Sequence, residues 1–272
     1  MKAILRFLLV FAVALLSVLV SCTDDPAPTP PSSEINVIAH GTLGNILVDG
    51  EGNTLYYFAR DVKGESACSG GCLNRWPVFY VETPDPGAGL SAADFATITR
   101  ADGAMQTTYK GWPLYFYAPA ADGLIEAPGE TGGEGFGSVW FVSKPDYSIR
   151  IASAQLVGAD GKQYTSNYTE GAGETMYFVD DMGRTLYQFS KDYNNTNTFT
   201  AADLSNNANW PMFYVDATSV PSTLNASDFG MITVHGEEQL TYKGWPLYYF
   251  GQDASRGDNK GVSVPTPGTW PI

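Results

Sequence analysis

Cys68 and Cys72, spaced as Cys-Ser-Gly-Gly-Cys, are the two side chains of this 272-residue chain best placed for joint chemistry. On a Gly-rich loop they either form a disulfide or act as a redox or metal-binding dithiol. The spacing is C-x-x-x-C rather than C-x-x-C and no histidine lies nearby, so an oxidising compartment would favour the structural disulfide. His40 and His235 occupy unmatched positions, and a lone histidine is more often a surface or turn residue than a ligand. A serine nucleophile needs a base and a presenting turn, and the chain has no G-x-S-x-G. It has no C-x-x-C-H haem attachment either, and nothing in the pattern sets two acids across a cleft. This supply of residues points away from an enzyme and from a resident cofactor, with calcium or a transition metal as the alternative.

The elements that must position these side chains are strands, and they are written twice. Gly52–Asp61 (GNTLYYFARD) returns as Gly183–Asp192 (GRTLYQFSKD). Asn74–Tyr80 (NRWPVFY) returns as Ala208–Tyr214 (ANWPMFY), and Gln106–Tyr115 (QTTYKGWPLY) as Gln239–Tyr248 (QLTYKGWPLY). The offsets, 131 to 134 residues, are nearly constant, which marks a duplicated module. All six tryptophans obey it, Trp76, Trp112 and Trp140 matching Trp210, Trp245 and Trp270. Recurrence favours packing as their role, while Trp112 and Trp245 are the candidates for an aromatic binding platform. A fainter echo of Thr54-Leu-Tyr-Tyr-Phe58 in Pro113-Leu-Tyr-Phe-Tyr117 suggests that each module holds two half-repeats.

The local pattern is β throughout. Asp-Gly-Glu-Gly-Asn at 49–53 and Asp-Asp-Met-Gly-Arg at 180–184 read as tight hairpin turns. Asp102-Gly103 and His235-Gly236 mark further hairpins, and Ser91 and Asn225 are placed to cap single helical turns. The expected fold is all-β: two tandem antiparallel modules at residues 35–147 and 148–272.

The N-terminus supplies an address. Lys2 and Arg6 precede an uncharged apolar run from Phe7 to Val20, which has the layout of a signal peptide and is short for a membrane span. Leu19-Val20-Ser21-Cys22 resembles the lipobox read by bacterial lipoprotein signal peptidase, so residues 1–21 are expected to be removed and Cys22 lipidated. Residues 22–34 then form a Pro-rich tether that cannot bury a core. Asp24 and Asp25 are similar to the export signal of Bacteroidota surface lipoproteins, placing the chain in the outer membrane, facing outward. Export makes a Cys68–Cys72 disulfide the expectation. The formal charge of −14 argues against nucleic acid and anionic lipid headgroups as partners. With charged residues at 16% and aromatics at 13%, the chain is expected to be a folded body rather than an acidic tail.

The repeats also carry a family resemblance. The chain resembles bacterial lipoproteins described as a secreted repeat of unknown function, with a Y-x-[FWY]-x-x-D motif. Tyr56-Tyr-Phe58-Ala-Arg-Asp61, Tyr187-Gln-Phe189-Ser-Lys-Asp192 and Tyr248-Tyr-Phe250-Gly-Gln-Asp253 match it. In the fourth copy Tyr115-Phe-Tyr117 reaches its acid at Asp122, two residues late. The family's Ser-x-Cys-x-x-x-Cys and Trp-Pro are present as Ser66, Cys68, Cys72 and Trp76-Pro77, whereas the second module has Asn206 and Asn207 where cysteines would fall. The resemblance implies no established activity. Each motif aspartate lies just past a strand end, where it is expected to bind backbone amides and fix a turn. Asp61, Asp122, Asp192 and Asp253 would be the carboxylates for calcium if the repeats converged. The expected role is a non-enzymatic surface module for a protein, glycan or small-molecule ligand, with a metal-binding or redox accessory as the alternative.

Overall fold

Hairpins frame the computed structural model, which describes residues 34–216 and 218–272. The signal segment, Cys22 and the tether up to Ser33 lie outside the described residues. In the first repeat β1 (Ile35–His40) and β2 (Gly44–Asp49) pair as a ribbon. The next strand is β3 (Tyr56–Phe58), reached through a turn that Asp49 holds. Its Oδ1 accepts from the amides of Glu51 and Asn53 at 2.9 and 2.8 Å, and Gly52 takes φ +90°, a value an L side chain rarely adopts. Then β4 (Phe95–Thr99), β5 (Met105–Tyr109) and β6 (Trp112–Tyr115) meander, and β7 (Trp140–Val142) closes the repeat. These strands make one five-stranded sheet in the order β4-β5-β6-β3-β7.

The second repeat keeps the order of hairpin and meander but divides its strands between two three-stranded sheets. It contains β8 (Ile149–Val157), β9 (Gln163–Tyr164) and β10 (Glu174–Asp180), ordered β10-β8-β9. The β10 turn is held by Asp180, whose Oδ1 accepts from Met182 and Arg184 amides, with Gly183 at φ +83°. A second meander follows as β11 (Phe229–Val234), β12 (Glu237–Tyr242) and β13 (Trp245–Pro246). Ser91 and Asn225 cap short 3-10 turns before the two meanders, each accepting from the amide two residues on. Among the described residues the only α-helix is the four-residue turn Cys72–Arg75, and every pairing between named strands is antiparallel, so the fold is all-β.

Alternation along β3 decides how the repeats meet. Tyr56 and Phe58 face the first repeat's own core, with Ile46, Val48, Trp76 and Trp140. Tyr57 points the other way and joins Trp112, Phe141 and Tyr147 against Ile151, Ala152, Tyr177 and Val179 of the second repeat. That cluster runs on to Trp210, Tyr248 and Trp270, so the apolar interior is continuous across the seam and residues 34–272 form one compact unit.

Candidate functional site

The motif residues build the same latch four times. Tyr115 donates its hydroxyl to Asp61 Oδ2 at 2.6 Å, and Asp61 Oδ1 accepts from the Ala67 amide at 2.7 Å. Tyr248 donates to Asp192 Oδ2 at 2.6 Å, whose other oxygen accepts from the Thr198 amide at 2.7 Å. Tyr187 donates to Asp253 Oδ2 at 2.6 Å, and Asp253 Oδ1 accepts from the Lys260 amide at 3.0 Å. In the fourth latch Tyr56 donates to Glu126 Oε1 at 2.5 Å, and Glu126 Oε2 accepts from the Gly132 amide at 2.8 Å. The tyrosine of one half-repeat is thus tied to the acid of the other, and the acid's free oxygen starts a returning loop. The amide contacts expected of the aspartates are present. The tyrosine partners were not legible, since each pair lies 54 to 70 residues apart.

The fourth latch takes its acid from outside the motif. Asp122, where the motif spacing points, accepts from the Leu124 amide at 2.9 Å and shapes its own turn. Glu126 takes the latch position because its longer side chain reaches Tyr56 from farther along the loop. Burial is the main force on Asp61, Asp253 and Glu126: it pushes the Asp61 carboxyl up to about 7 and Asp253 to about 6, and raises Glu126, against the lowering effect of the tyrosine and amide donors. Burial likewise raises the tyrosine hydroxyls of Tyr56, Tyr115, Tyr187 and Tyr248.

The aromatic position of the motif does separate work. In the first repeat Trp76 and Trp140 stack at 3.8 Å and 3°, with Phe58 on Trp140 at 4.0 Å and Tyr117 against Trp76 at 4.8 Å. In the second, Trp210 and Trp270 stack at 3.6 Å and 8°, with Phe189 on Trp270 at 4.6 Å and Phe250 on Trp210 at 4.3 Å. Latch tyrosines meet this stack edge-on: Tyr115 on Trp140, Tyr56 on Trp76, Tyr248 on Trp270 and Tyr187 on Trp210, at 5.0 to 5.4 Å. Each such pair adds about 1 kcal/mol beyond the area it buries.

Beside the first latch, Cys68 and Cys72 are disulfide-bonded. The Arg100 guanidinium, which the sequence reading did not single out, ties this loop down by donating to Cys68 O at 2.7 Å, to Gln106 Oε1 at 2.8 Å and to Ser66 Oγ. The histidines are turn residues: His40 Nδ1 accepts from the Leu43 amide, and His235 Nε2 lies 3.0 Å from Thr200 O. Among the described residues no three His, Cys, Asp or Glu side chains stand where they could share a metal ion. The four latch acids each serve their own tyrosine.

At the seam between the repeats the two candidate platform tryptophans differ. Trp112 has no exposed surface, so its ring offers no platform to a ligand; Trp245 keeps part of its ring exposed. Trp112 lies under two guanidiniums, Arg150 and Arg256, at 5.6 and 5.0 Å from its centroid, and donates Nε1–H to Asp181 O at 3.1 Å. Arg150 is fully buried among Trp112, Tyr57 and Tyr147, its nitrogens have no hydrogen-bond acceptor, and burial lowers its pKa. The three ring faces are its compensation. On the outer side of Tyr147, a cleft of about 350 Å³ opens. It is lined by Leu43, Glu134, Lys144 and Tyr147 of the first repeat and by Ser219 and Ser222 of the second. Glu134 is committed to the wall, accepting from Ser222 Oγ and the Val142 amide at 2.6 and 2.5 Å. Lys144 sits over the Tyr147 ring at 5.0 Å and has no ion-pair partner among the described residues.

Comparison with known families bears on this arrangement. The profile of a lipoprotein family described as "Secreted repeat of unknown function" matches residues 37–80, 96–144 and 231–272. No curated protein and no solved structure matches the chain. The stretch that the profile passes over contains Tyr187 and Asp192, whose latches and ring contacts copy those of the matched segments. Among the described residues no helix is long and apolar enough to cross a membrane.

Proposed function

We propose that this chain, which belongs to the family of secreted repeats of unknown function, is a non-enzymatic lipoprotein that binds a polar ligand in the cleft at the seam of its repeats. Lipid on Cys22 anchors it in the outer membrane. The observation that carries the reading is the cleft. Both repeats contribute walls to it, and its size is that of a small-ligand site. It also holds an ammonium group, Lys144, that is in no ion pair among the described residues.

The non-enzymatic reading is supported by the engagement of the motif acids and the cysteines. The latch carboxylates accept hydrogen bonds at both oxygens, and Cys68 and Cys72 are joined. The ligand is a glycan, peptide or small molecule bearing an acidic or hydroxyl-rich group that answers Lys144, Ser219 and Ser222. Residues 34–272 applied to a glycan array and a peptide library are expected to give binders, and Lys144→Glu is expected to abolish them without changing the melting temperature. Binders indifferent to Lys144→Glu would move the site elsewhere, and none in either collection would end the proposal.

A further inference from the structure

Each repeat encloses an ordered series of groups with one chemical sense. In the first it runs Glu126, Tyr56, Trp76, Trp140, Tyr115, Asp61; in the second, Asp253, Tyr187, Trp210, Trp270, Tyr248, Asp192. The centre is a pair of indoles in face-to-face contact, and each end is a phenol hydrogen-bonded to a carboxylate. All eight rings are buried, and none of these acids touches the seam cleft. Packing alone would be served by phenylalanine at the four tyrosine positions, with no carboxylate to desolvate. The structure instead places a proton acceptor 2.5 to 2.6 Å from every one of these hydroxyls, with Asp61, Glu126 and Asp192 buried and Asp253 partly so.

We propose that the two clusters are sinks for single oxidising equivalents. A one-electron radical oxidant arriving at the surface takes an electron from a stacked tryptophan and is itself reduced. The resulting indole radical cation, whose charge the second indole shares, is refilled by an electron from the neighbouring tyrosine. As that electron leaves, the phenolic proton moves along the existing hydrogen bond to the carboxylate. In the first repeat Trp140 radical cation, Tyr115–OH and the Asp61 carboxylate become Trp140, the neutral Tyr115 phenoxyl radical and the Asp61 carboxylic acid. Charge and atoms balance, and no bond other than O–H is broken. The carboxylate is needed because a buried phenol that lost only its electron would be a strongly acidic cation with nowhere to send its proton. Exposed Phe136, on the edge of Trp76 at 5.8 Å, shows how near the surface the first stack lies.

This inference does not depend on the ligand cleft, and its test leaves Lys144 intact. Azide radicals generated by pulse radiolysis oxidise tryptophan, and the conversion of tryptophanyl into tyrosyl absorption can be followed in residues 34–272. The intact protein is expected to convert within the molecule, at a rate independent of protein concentration. Replacing Tyr56, Tyr115, Tyr187 and Tyr248 together by Phe is expected to slow conversion by about tenfold or more, while Phe at the exposed Tyr80, Tyr193 and Tyr214 leaves it unchanged. Should the fourfold phenylalanine variant fail to fold, Asp61→Asn, Asp192→Asn, Asp253→Asn and Glu126→Gln keep every ring and remove only the bases. The same loss of rate is expected there. Unaltered conversion in either variant, or an equal loss in the exposed-tyrosine control, would overturn the proposal.

Discussion

The two repeats hold the same loop by different means. After β3 the first repeat staples its loop with the Cys68–Cys72 disulfide and with Arg100, which reaches Gln106. At the matching place the second repeat uses amides. Asn197 Nδ2 donates to Gln239 Oε1 at 2.7 Å, Asn206 donates to Phe199 O and accepts from the Ala201 amide, and Asn207 accepts from the Met212 amide. Gln106 and Gln239 are equivalent, each donating its Nε2–H to the carbonyl of the leucine after Trp-Pro, Leu114 or Leu247, at 2.9 Å. What stays constant is the latch and the tryptophan stack; how the loop is tied down is exchangeable.

The outer faces differ in the same spirit. Tyr57 and Phe141, which the second repeat covers, are replaced by Gln188 and Pro271 on the equivalent face of the second repeat, and Trp112 by the half-buried Trp245. The face of the first repeat that the second covers is thus the more apolar of the two.

The sharpest way to break this comparison is at the paired tryptophans. Trp112→Ala is expected to cost about 4 kcal/mol in urea unfolding and Trp245→Ala about 1 kcal/mol, because only Trp112 is enclosed. Equal losses would mean that the second repeat's face is covered in solution. Removing a latch acid should not distinguish the repeats. Asp61→Ala and Asp192→Ala each strand a buried hydroxyl and an amide, and each is expected to lose about 3 kcal/mol. A loss at Asp61 alone would show that only the first repeat relies on its latches. At the staples, Cys68→Ala with Cys72→Ala frees a short loop and should cost about 2 kcal/mol, whereas Asn206→Ala should cost about 1 kcal/mol. Mild reductant should then lower the midpoint of the intact protein and leave the double cysteine variant unmoved.

The smallest effect is in pH. Asp61 and Asp253 have folded-state values of about 7 and about 6, above the ordinary 3.8 of an unfolded aspartate. The folded state therefore holds protons that the unfolded chain has released. Their stabilising contribution is complete below the unfolded value and fades as pH rises through 6 and 7. The difference in stability between the intact protein and Asp61→Asn should accordingly shrink between pH 4 and pH 7. A difference that grows over that interval would reverse the sign and place Asp61 ionised and well compensated.

Local chemistry was legible in the sequence wherever partners are neighbours. Asp49, Asp180, Ser91 and Asn225 each act within four residues, and their turns and caps follow from residue type alone. The recurrence of tryptophans correctly signalled packing. Long-range pairing was hidden, because a Tyr-x-Phe spacing says which way a hydroxyl points and nothing about the acid it meets. Glu126 escaped notice since it sits outside the motif and differs from it in type. The difference in burial between Trp112 and Trp245 was hidden because Lys-Gly-Trp-Pro is the same text in both repeats, and burial depends on what the rest of the chain lays over it. Arg150 carried no signal at all: the core that accepts it is assembled from β3, β6 and the loop before β8.

The crossed latches also bear on how such a chain could have grown. If each tyrosine met the acid of its own half-repeat, a single half could be copied, lost or moved as a complete part. Here a solitary half would carry a bare carboxylate in an apolar interior and a hydroxyl with no acceptor. The smallest piece that closes its own latches is the pair, so duplication in whole pairs lengthens this architecture without stranding a latch group.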